Sequence, residues 1–598
     1  MKKNLSFVVL LLILFFSMLS IISAQHKFYV DLNDRTDEAF KVTLIPDKLT
    51  DSNKIFQFAA TAPGTYEIMD IGRFVKSFTA FDKAGNEITV THPSVDQWEI
   101  FDPENVNKIV YEISDTWDTQ VDKNPVYPMC GSEISDDYVM INGQCVFGYF
   151  HNMQKYPVEI KLEYPNNWIV GTALEQNGDG FYTAPDYDTI VDSPILVGDL
   201  TKASTTVDNT IVDVYTHSKG ELIKSGNILM TLEDVLDATD QFTMGLPVNR
   251  YVFLFNFVNF SAGAWEHNYS SIYVYKNDTL TDHYAKELRS TAAHEFFHII
   301  TPLHIHSELV ENFNYERPVM SQHLWLYEGV TEWASRIMQL RDYLISLDDY
   351  LDDVKQKLTV NDGFDQDISL TELGKKSTEL QDQYFNIYNK GAVVAGLLDI
   401  RLLKLSNAKK GLRELLLDLL NEYGINKSIS EDNFFNSLAA ETYPEIGDFI
   451  KDYIQGTKPL PIKEYFGWLG IDYSESEGYD SSKITLGFGI GFKDNHFIVS
   501  KVNPRIADKL QSGDILYKVD NDLVTFQNIQ SKAASLQNLK VGDKVNITVK
   551  KDGKEIEVEL KALPREIRHK FTVLDNPLPE QLALRNAWMK NNPDYKVK

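Results

Sequence analysis

The sequence predicts a multidomain α+β protein, and three observations carry that prediction. At 598 residues the chain is too long to close around one hydrophobic core. Its apolar pattern changes period: alternation up to about residue 204, mainly helical spacing from there to about 455, and short strands again afterwards. Where the first texture gives way to the second, two apolar strand-like runs lead into a helical stretch with two histidines one turn apart.

In chain order, residues 1–24 read as a secretory signal peptide. Lys2 and Lys3 supply a basic start, residues 5–22 are almost wholly apolar, and Ile22-Ser-Ala24 precedes a cleavage point before Gln25. A retained anchor is the competing reading, because that apolar run nearly spans a bilayer. Residues 25–204 are expected as an N-terminal β domain. Lys41-Val-Thr-Leu-Ile, Lys54-Ile-Phe-Gln-Phe-Ala-Ala, Ile109-Val-Tyr-Glu-Ile and Val158-Glu-Ile-Lys-Leu-Glu-Tyr largely alternate, with turns at Ala-Pro-Gly 62–64 and Asn-Gly-Asp-Gly 177–180. Residues 205–342 are expected as the catalytic domain: a strand over 206–215, a helical pattern over 221–243, buried strands at 251–257 and 271–275, a helix over 282–300 stopped by Pro302, and a second helix over 322–342. A helical domain follows over 343–460, a small strand-rich domain over 466–565 and a C-terminal tail over 566–598.

Composition narrows the partners. The chain is 43% hydrophobic and 24% charged, the profile of a globular protein. Without Lys2 and Lys3 the mature chain has 56 basic and 86 acidic side chains, a net charge near −30. Nucleic acid and anionic membrane are poor partners for such a surface. No second long apolar run exists, so no transmembrane segment is expected after signal removal, and the exported protein is expected to be periplasmic or secreted. Cys130 and Cys145 leave a disulfide and two buried thiols equally open.

The histidine pair belongs to His294-Glu-Phe-Phe-His298, of the form H-E-x-x-H. On a helix both imidazoles project from one face and can share a Zn²⁺, while Glu295 can take a proton from a water that the metal acidifies. A catalytic zinc needs a third ligand. His304 stands ten residues after His294, but Thr301 occupies the position where that spacing requires glycine. Glu328 is the stronger candidate. It sits among Trp325, Leu326 and Val330, where a carboxylate needs a partner, and Glu332 follows one turn later.

The stretch Leu324-Trp-Leu-Tyr-Glu-Gly329 after H-E-x-x-H resembles the gluzincin aminopeptidases, and HEFFH with its longer spacer resembles the glycyl aminopeptidase family among them. That resemblance implies a thermolysin-like catalytic domain and one Zn²⁺ per chain on His294, His298 and Glu328, with Glu295 as general base. Gly263-Ala-Trp-Glu-His267 is similar to the family segment that binds the substrate's free α-amino group, which gives Glu266 that role beside Gly263. Tyr388-Asn-Lys-Gly391 is similar to the family's Tyr-x-Lys-Gly, which gives the Tyr388 hydroxyl the oxyanion of the tetrahedral intermediate. The implied substrates are peptides with a free N-terminus and a small first residue, Gly or Ala. Three departures stand out: Ile-Ile-Thr-Pro-Leu-His after HEFFH, and Ala264 and Trp265 in place of Gly and Leu.

Residues 466–565 resemble a PDZ domain. Leu486-Gly-Phe-Gly-Ile490 is similar to its carboxylate-binding loop, Ser512-Gly-Asp-Ile-Leu to its strand signature, and Asp552-Gly553 marks a terminal hairpin turn. Such a groove takes peptide C-termini or extended strands. Two alternatives stand beside the aminopeptidase reading: a zinc endopeptidase on the same scaffold, and a non-catalytic PDZ peptide-binding protein.

Overall fold

The computed structural model describes residues 25–597 except Thr36, Asn426, 494–495, 526–527 and Asp552. The expected signal peptide over 1–24 and half of the expected turn at Asp552-Gly553 therefore lie outside the described residues. The chain divides into two compact units, one of residues up to 233 with 246–299 and 313–319, the other of 234–245, 300–312 and 320–598.

The first unit opens with sheets, interrupted by short helical turns. An eight-stranded sheet and two four-stranded sheets account for most strands up to residue 198. The strand His26–Asp31 pairs antiparallel with Ala39–Ile45 and parallel with Val158–Glu163. Alternation puts Phe28, Val30, Val42, Leu44, Ile160 and Leu162 inside, each side chain contributing about 1.5–3 kcal/mol of burial. Phe56, Phe58 and Tyr111 join them with edge-on and tilted ring contacts. The strand expected over 54–60 is only Ile55–Gln57, because the chain then leaves the sheet and Ala60 N donates to Tyr315 O at 2.7 Å.

The unit also holds the sheet on which the site is built. Its strands are β1 (Thr201–Val207), β2 (Thr210–Ser218), β3 (Arg250–Val258), β4 (Gly263–Glu266) and β5 (Ser270–Lys276), in spatial order β1-β2-β3-β5-β4. The single strand expected over 206–215 is a hairpin instead: Asp208, with φ of 47°, and Asn209 turn the chain between β1 and β2. β2, β3 and β5 run parallel, and β4 lies antiparallel on the edge beyond β5. β3 is buried on both faces and apolar along its middle except for Asn256, whose Oδ1 lies 2.8 Å from His217 Nδ1, as suits a covered parallel strand. Helix α1 (Asp282–Phe297) is capped by the Thr281 hydroxyl, which accepts from Tyr284 N. Phe296 packs on Tyr251 and Phe253, ring centroids 4.7 and 5.7 Å away. α1 stops three residues short of the expected 300.

In the second unit, His304 N and Ile305 N both donate to Ile300 O, tightening the chain around Pro302, which cannot continue a helix. Residues 325–329 are not ordinary α-helix: Trp325–Gly329 is a π turn running into α2 (Val330–Arg341). Helix α3 (Asn386–Leu405) crosses it, and the buried pair Arg341–Asp399, 2.8 Å apart, joins α2 to α3. Strands Gly489–Lys493, His496–Ser500, Ile515–Val519, Lys544–Lys551 and Lys554–Lys561 form one sheet, with helix Ile529–Gln537 and a core that includes Leu486, Val499, Leu516 and Ile547. The long strand Ile471–Thr485 enters this module, and Leu563–Val573 leaves it alongside, paired antiparallel. The C-terminal helix Pro579–Trp588 then buries Trp588, whose carbonyl accepts from Arg341 Nε at 3.0 Å. Among the described residues, no helix is long and apolar enough to cross a membrane.

Candidate active site

The last turn of α1 presents His294, Glu295 and His298, all buried. His298 is the C-cap residue but keeps helical angles, so its ring stays on the face of His294; the centroids are 4.9 Å apart and the planes nearly perpendicular. Glu328, 3% exposed, comes from the π turn among Trp325, Leu326 and Val330. One ligand atom from each of His294, His298 and Glu328 lies within 4.8 Å of the other two. Two imidazoles and a carboxylate fit a tetrahedral ion with its fourth position open; donors at about 2.0–2.1 Å from such an ion stand roughly 3.4 Å apart. His304 is buried too, but among the described residues it joins no such group.

Glu266 ends the edge strand β4, and its carboxylate falls with those of Glu295 and the His298 ring inside the same 4.8 Å limit. An anionic group on a free strand edge beside the proton-transfer carboxylate suits a ligand that is cationic at one end. Gly263 opens β4 with φ of 124°, a backbone that favours glycine. Ala264 is half-buried, and Trp265 turns into the core. Behind them stands Gly64, which the sequence marked only as part of a turn. Its φ is 76°, and a Cβ there would meet Glu266 Oε1 and Trp265 Nε1, each at 2.7 Å. The bare backbone of the 62–64 turn is thus what lets Glu266 lie where it does.

Tyr388 is half-buried on the first turn of α3, its hydroxyl 3.1 Å from that of Tyr384. Tyr384 was not singled out from the sequence; only its place one turn before Tyr388 marked it. Lys390 of the same motif is buried, donates to Ile368 O at 3.1 Å, and has its pKa lowered by desolvation. The two motif glycines also acquire a reason. A Cβ on Gly329 would lie 2.6 Å from Gly391 Cα, and one on Gly391 would lie 2.8 Å from Gly329 Cα. The π turn carrying Glu328 and the helix carrying Tyr388 touch backbone to backbone there. Glu332 accepts from Lys357 Nζ at 2.5 Å, which ties α2 to the helix Leu347–Asn361. Cys130 and Cys145 are free, buried thiols, with Cys145 Sγ donating to Cys130 O at 3.3 Å.

Three family models match the chain: the Peptidase M61 N-terminal domain over residues 27–199, the M61 glycyl aminopeptidase over 287–394 and a PDZ domain over 467–562. Over those segments the chain is similar to the M61 glycyl aminopeptidases. The match over 287–394 supports a peptidase, a hydrolase of peptide bonds. The M61 match over 287–394 takes in His294, Glu295, His298, Glu328 and Tyr388, whereas Gly263 and Glu266 precede it. Among solved structures, an aminopeptidase N family protein from Idiomarina loihiensis superposes with a TM-score of 0.78, 20% identical, covering 95% of this chain and all of that one. This chain therefore shares its fold. An M1 zinc metallopeptidase mutant from Deinococcus radiodurans, bound to a Tyr-Ser-Ala substrate, is similar at 11% identity and a TM-score of 0.47, over 73% of this chain and 95% of that one. No curated protein sequence matches.

Proposed function

We propose that this chain is an exported zinc aminopeptidase that removes small N-terminal residues, Gly or Ala, from peptides. The observation that carries the reading is the convergence of Glu266 on Glu295 and His298 beside the His294, His298 and Glu328 donor set. When bound, zinc supplies Lewis acidity, polarising the scissile carbonyl and acidifying water. Glu266 takes the substrate ammonium, a charge-assisted contact that an acylated terminus cannot make. The edge of β4, from Gly263, aligns the first peptide unit as an added strand. Glu295 accepts a proton from the attacking water and returns it to the leaving amine. The Tyr388 hydroxyl donates to the oxygen on which negative charge develops. The PDZ module is expected to take peptide C-termini or extended strands.

The test is hydrolysis of Gly- and Ala-arylamides by the purified chain, with and without chelator. Chelation should abolish turnover and added Zn²⁺ restore it. Glu266→Ala should lower kcat/KM for free-amine substrates by about 10–10²-fold, since a hydrogen bond to a charged group is lost at a half-buried carboxylate. A chain that cleaves N-acetylated peptides and tolerates Glu266→Ala is an endopeptidase, and the proposal fails.

A further inference from the structure

A second group of carboxylates lies in the N-terminal sheets, on residues that the catalytic reading does not use. Asp115, Asp118 and Glu133 each bring one oxygen within 4.8 Å of the other two. Asp115 follows the strand Lys108–Ser114, and Glu133 opens the short strand Glu133–Ile134. The two segments lie side by side: Thr116 N donates to Ser132 O at 3.1 Å, and Ser132 N to Thr116 Oγ1 at 2.8 Å.

Two of these acids are inside the protein. Asp115 is 0% exposed and Glu133 8%, while Asp118 faces solvent. Asp115 Oδ1 accepts from Asp118 N at 3.1 Å, but Asp115 Oδ2 and Glu133 Oε2 are buried and accept no hydrogen bond. Among the described residues no lysine, arginine or histidine pairs with any of the three. Burying an unpaired carboxylate costs several kcal/mol, and three together repel one another. Such a cluster must keep protons or hold a cation. Burial, followed by the charges of Asp115, Asp118 and Glu38, pushes Glu133 up to about 8, and burial pushes Asp115 up to about 6.

We propose that Asp115, Asp118 and Glu133 form a calcium site that ties the 115–118 turn to the start of the strand at 133. The donors are all carboxylate oxygens, with neither imidazole nor thiol, which favours a hard cation. Calcium tolerates the irregular geometry of three side chains from two segments, with water completing its shell, whereas Mg²⁺ demands a near-ideal octahedron. The tied segment includes Met129, whose methyl would lie 3.7 Å from a Cβ on Gly263, and Cys130, whose thiol is raised by burial and then by the Glu266 carboxylate. Calcium would thus hold the wall beside β4 in place.

The experiment uses the full chain with saturating Zn²⁺. Tb³⁺ is added and excited through tryptophan, since Trp117 lies between two of the ligands in sequence. Sensitised emission should appear and be displaced by Ca²⁺ at about 10⁻⁴–10⁻³ M, with Mg²⁺ at least tenfold weaker. Ten millimolar Ca²⁺ should raise Tm by roughly 5 °C. Glu133→Gln should abolish both responses, and Asp118→Asn, at an exposed position, should weaken them if the first variant fails to fold. The responses should persist in His298→Ala, which separates this site from the catalytic metal. If Ca²⁺ moves neither signal, or Mg²⁺ equals it, the assignment is wrong. It is equally wrong if Glu133→Gln stabilises the chain by the same amount with and without Ca²⁺, because the cluster then merely stores a proton.

Discussion

Replacing Gly391 by alanine tests whether the two motif glycines hold the acid ligand and the tyrosine in register. The added Cβ would lie 2.8 Å from Gly329 Cα, with Gly329 N at 3.7 Å and its carbonyl carbon at 3.9 Å. Carbon atoms settle at about 3.5–4.0 Å, so α3 and the π turn must part by roughly 1 Å. No flexible side chain can yield, because the opposing atoms are backbone. Over-filling a close-packed interior costs about 1–3 kcal/mol, or roughly 3–10 °C in Tm for a unit of this size. Displacing Tyr388 from Glu328 by about 1 Å is enough to lose on the order of 10²-fold in kcat. Calorimetry, steady-state kinetics on an alanine arylamide and metal analysis should find a lower Tm, a much lower kcat and unchanged zinc per chain, since all three proposed ligands remain. Gly329→Ala should behave alike, and the double variant should lose less than the sum, because both changes open one gap. A Gly391→Ala chain with parental Tm and kcat would refute the reasoning.

Three other outcomes are expected. Glu295→Gln should keep its metal by elemental analysis while kcat falls by about 10²–10⁴-fold; retained turnover would remove Glu295 from the proton transfer. Gly64→Ala should strain a left-handed backbone by about 1 kcal/mol and push against Glu266, so kcat/KM for a free-amine substrate should drop while Glu266→Ala, already without its carboxylate, is barely affected by the same change. His26 accepts Asp47 N–H through Nδ1 at 3.1 Å between Phe150 and Tyr156, and burial drives its pKa down to about 4. The unfolded chain binds that proton near pH 6.5, so the folded state is favoured above 6.5 and loses stability as pH falls towards 4, by roughly 2 kcal/mol at pH 5. Urea unfolding of His26→Leu at pH 7 and 5 should show a correspondingly smaller pH loss than the parent; equal losses would exclude the histidine.

The parts of the fold that were legible in the sequence are those set by period. Alternation marked the strands at 41–45, 109–113 and 158–163, and a continuous apolar run marked β3, since burial on one face or both leaves different spacings. The hairpin of β1 and β2 was missed because Asp208-Asn209 interrupts the alternation by only two residues and reads as one strand. Of the candidate site, His294, Glu295 and His298 stood out because metal chemistry restricts residue type and helical spacing at once, and Glu328 stood out by its apolar neighbours and the gluzincin-like stretch around it; the structure brings the two histidines and Glu328 together. The π turn was not, because its extra residue per turn leaves no composition mark. Nor were Gly64 and the Gly329–Gly391 contact, which are meetings of segments remote in sequence and depend on the absence of an atom.

The paired strands Ile471–Thr485 and Leu563–Val573 change how the PDZ module must be handled. Although it comes late in the sequence, the module is an insertion held by two antiparallel tethers and not an appendage on one. A stop codon placed before it would also strip away the helix that buries Trp588 and the carbonyl that holds Arg341. Loss of activity in such a truncation would report a damaged helical region, not the module's own task. The informative deletion closes the ribbon on itself, joining Tyr473 to its partner Phe571 through a short turn, so that the module is excised and the C-terminal helix is kept.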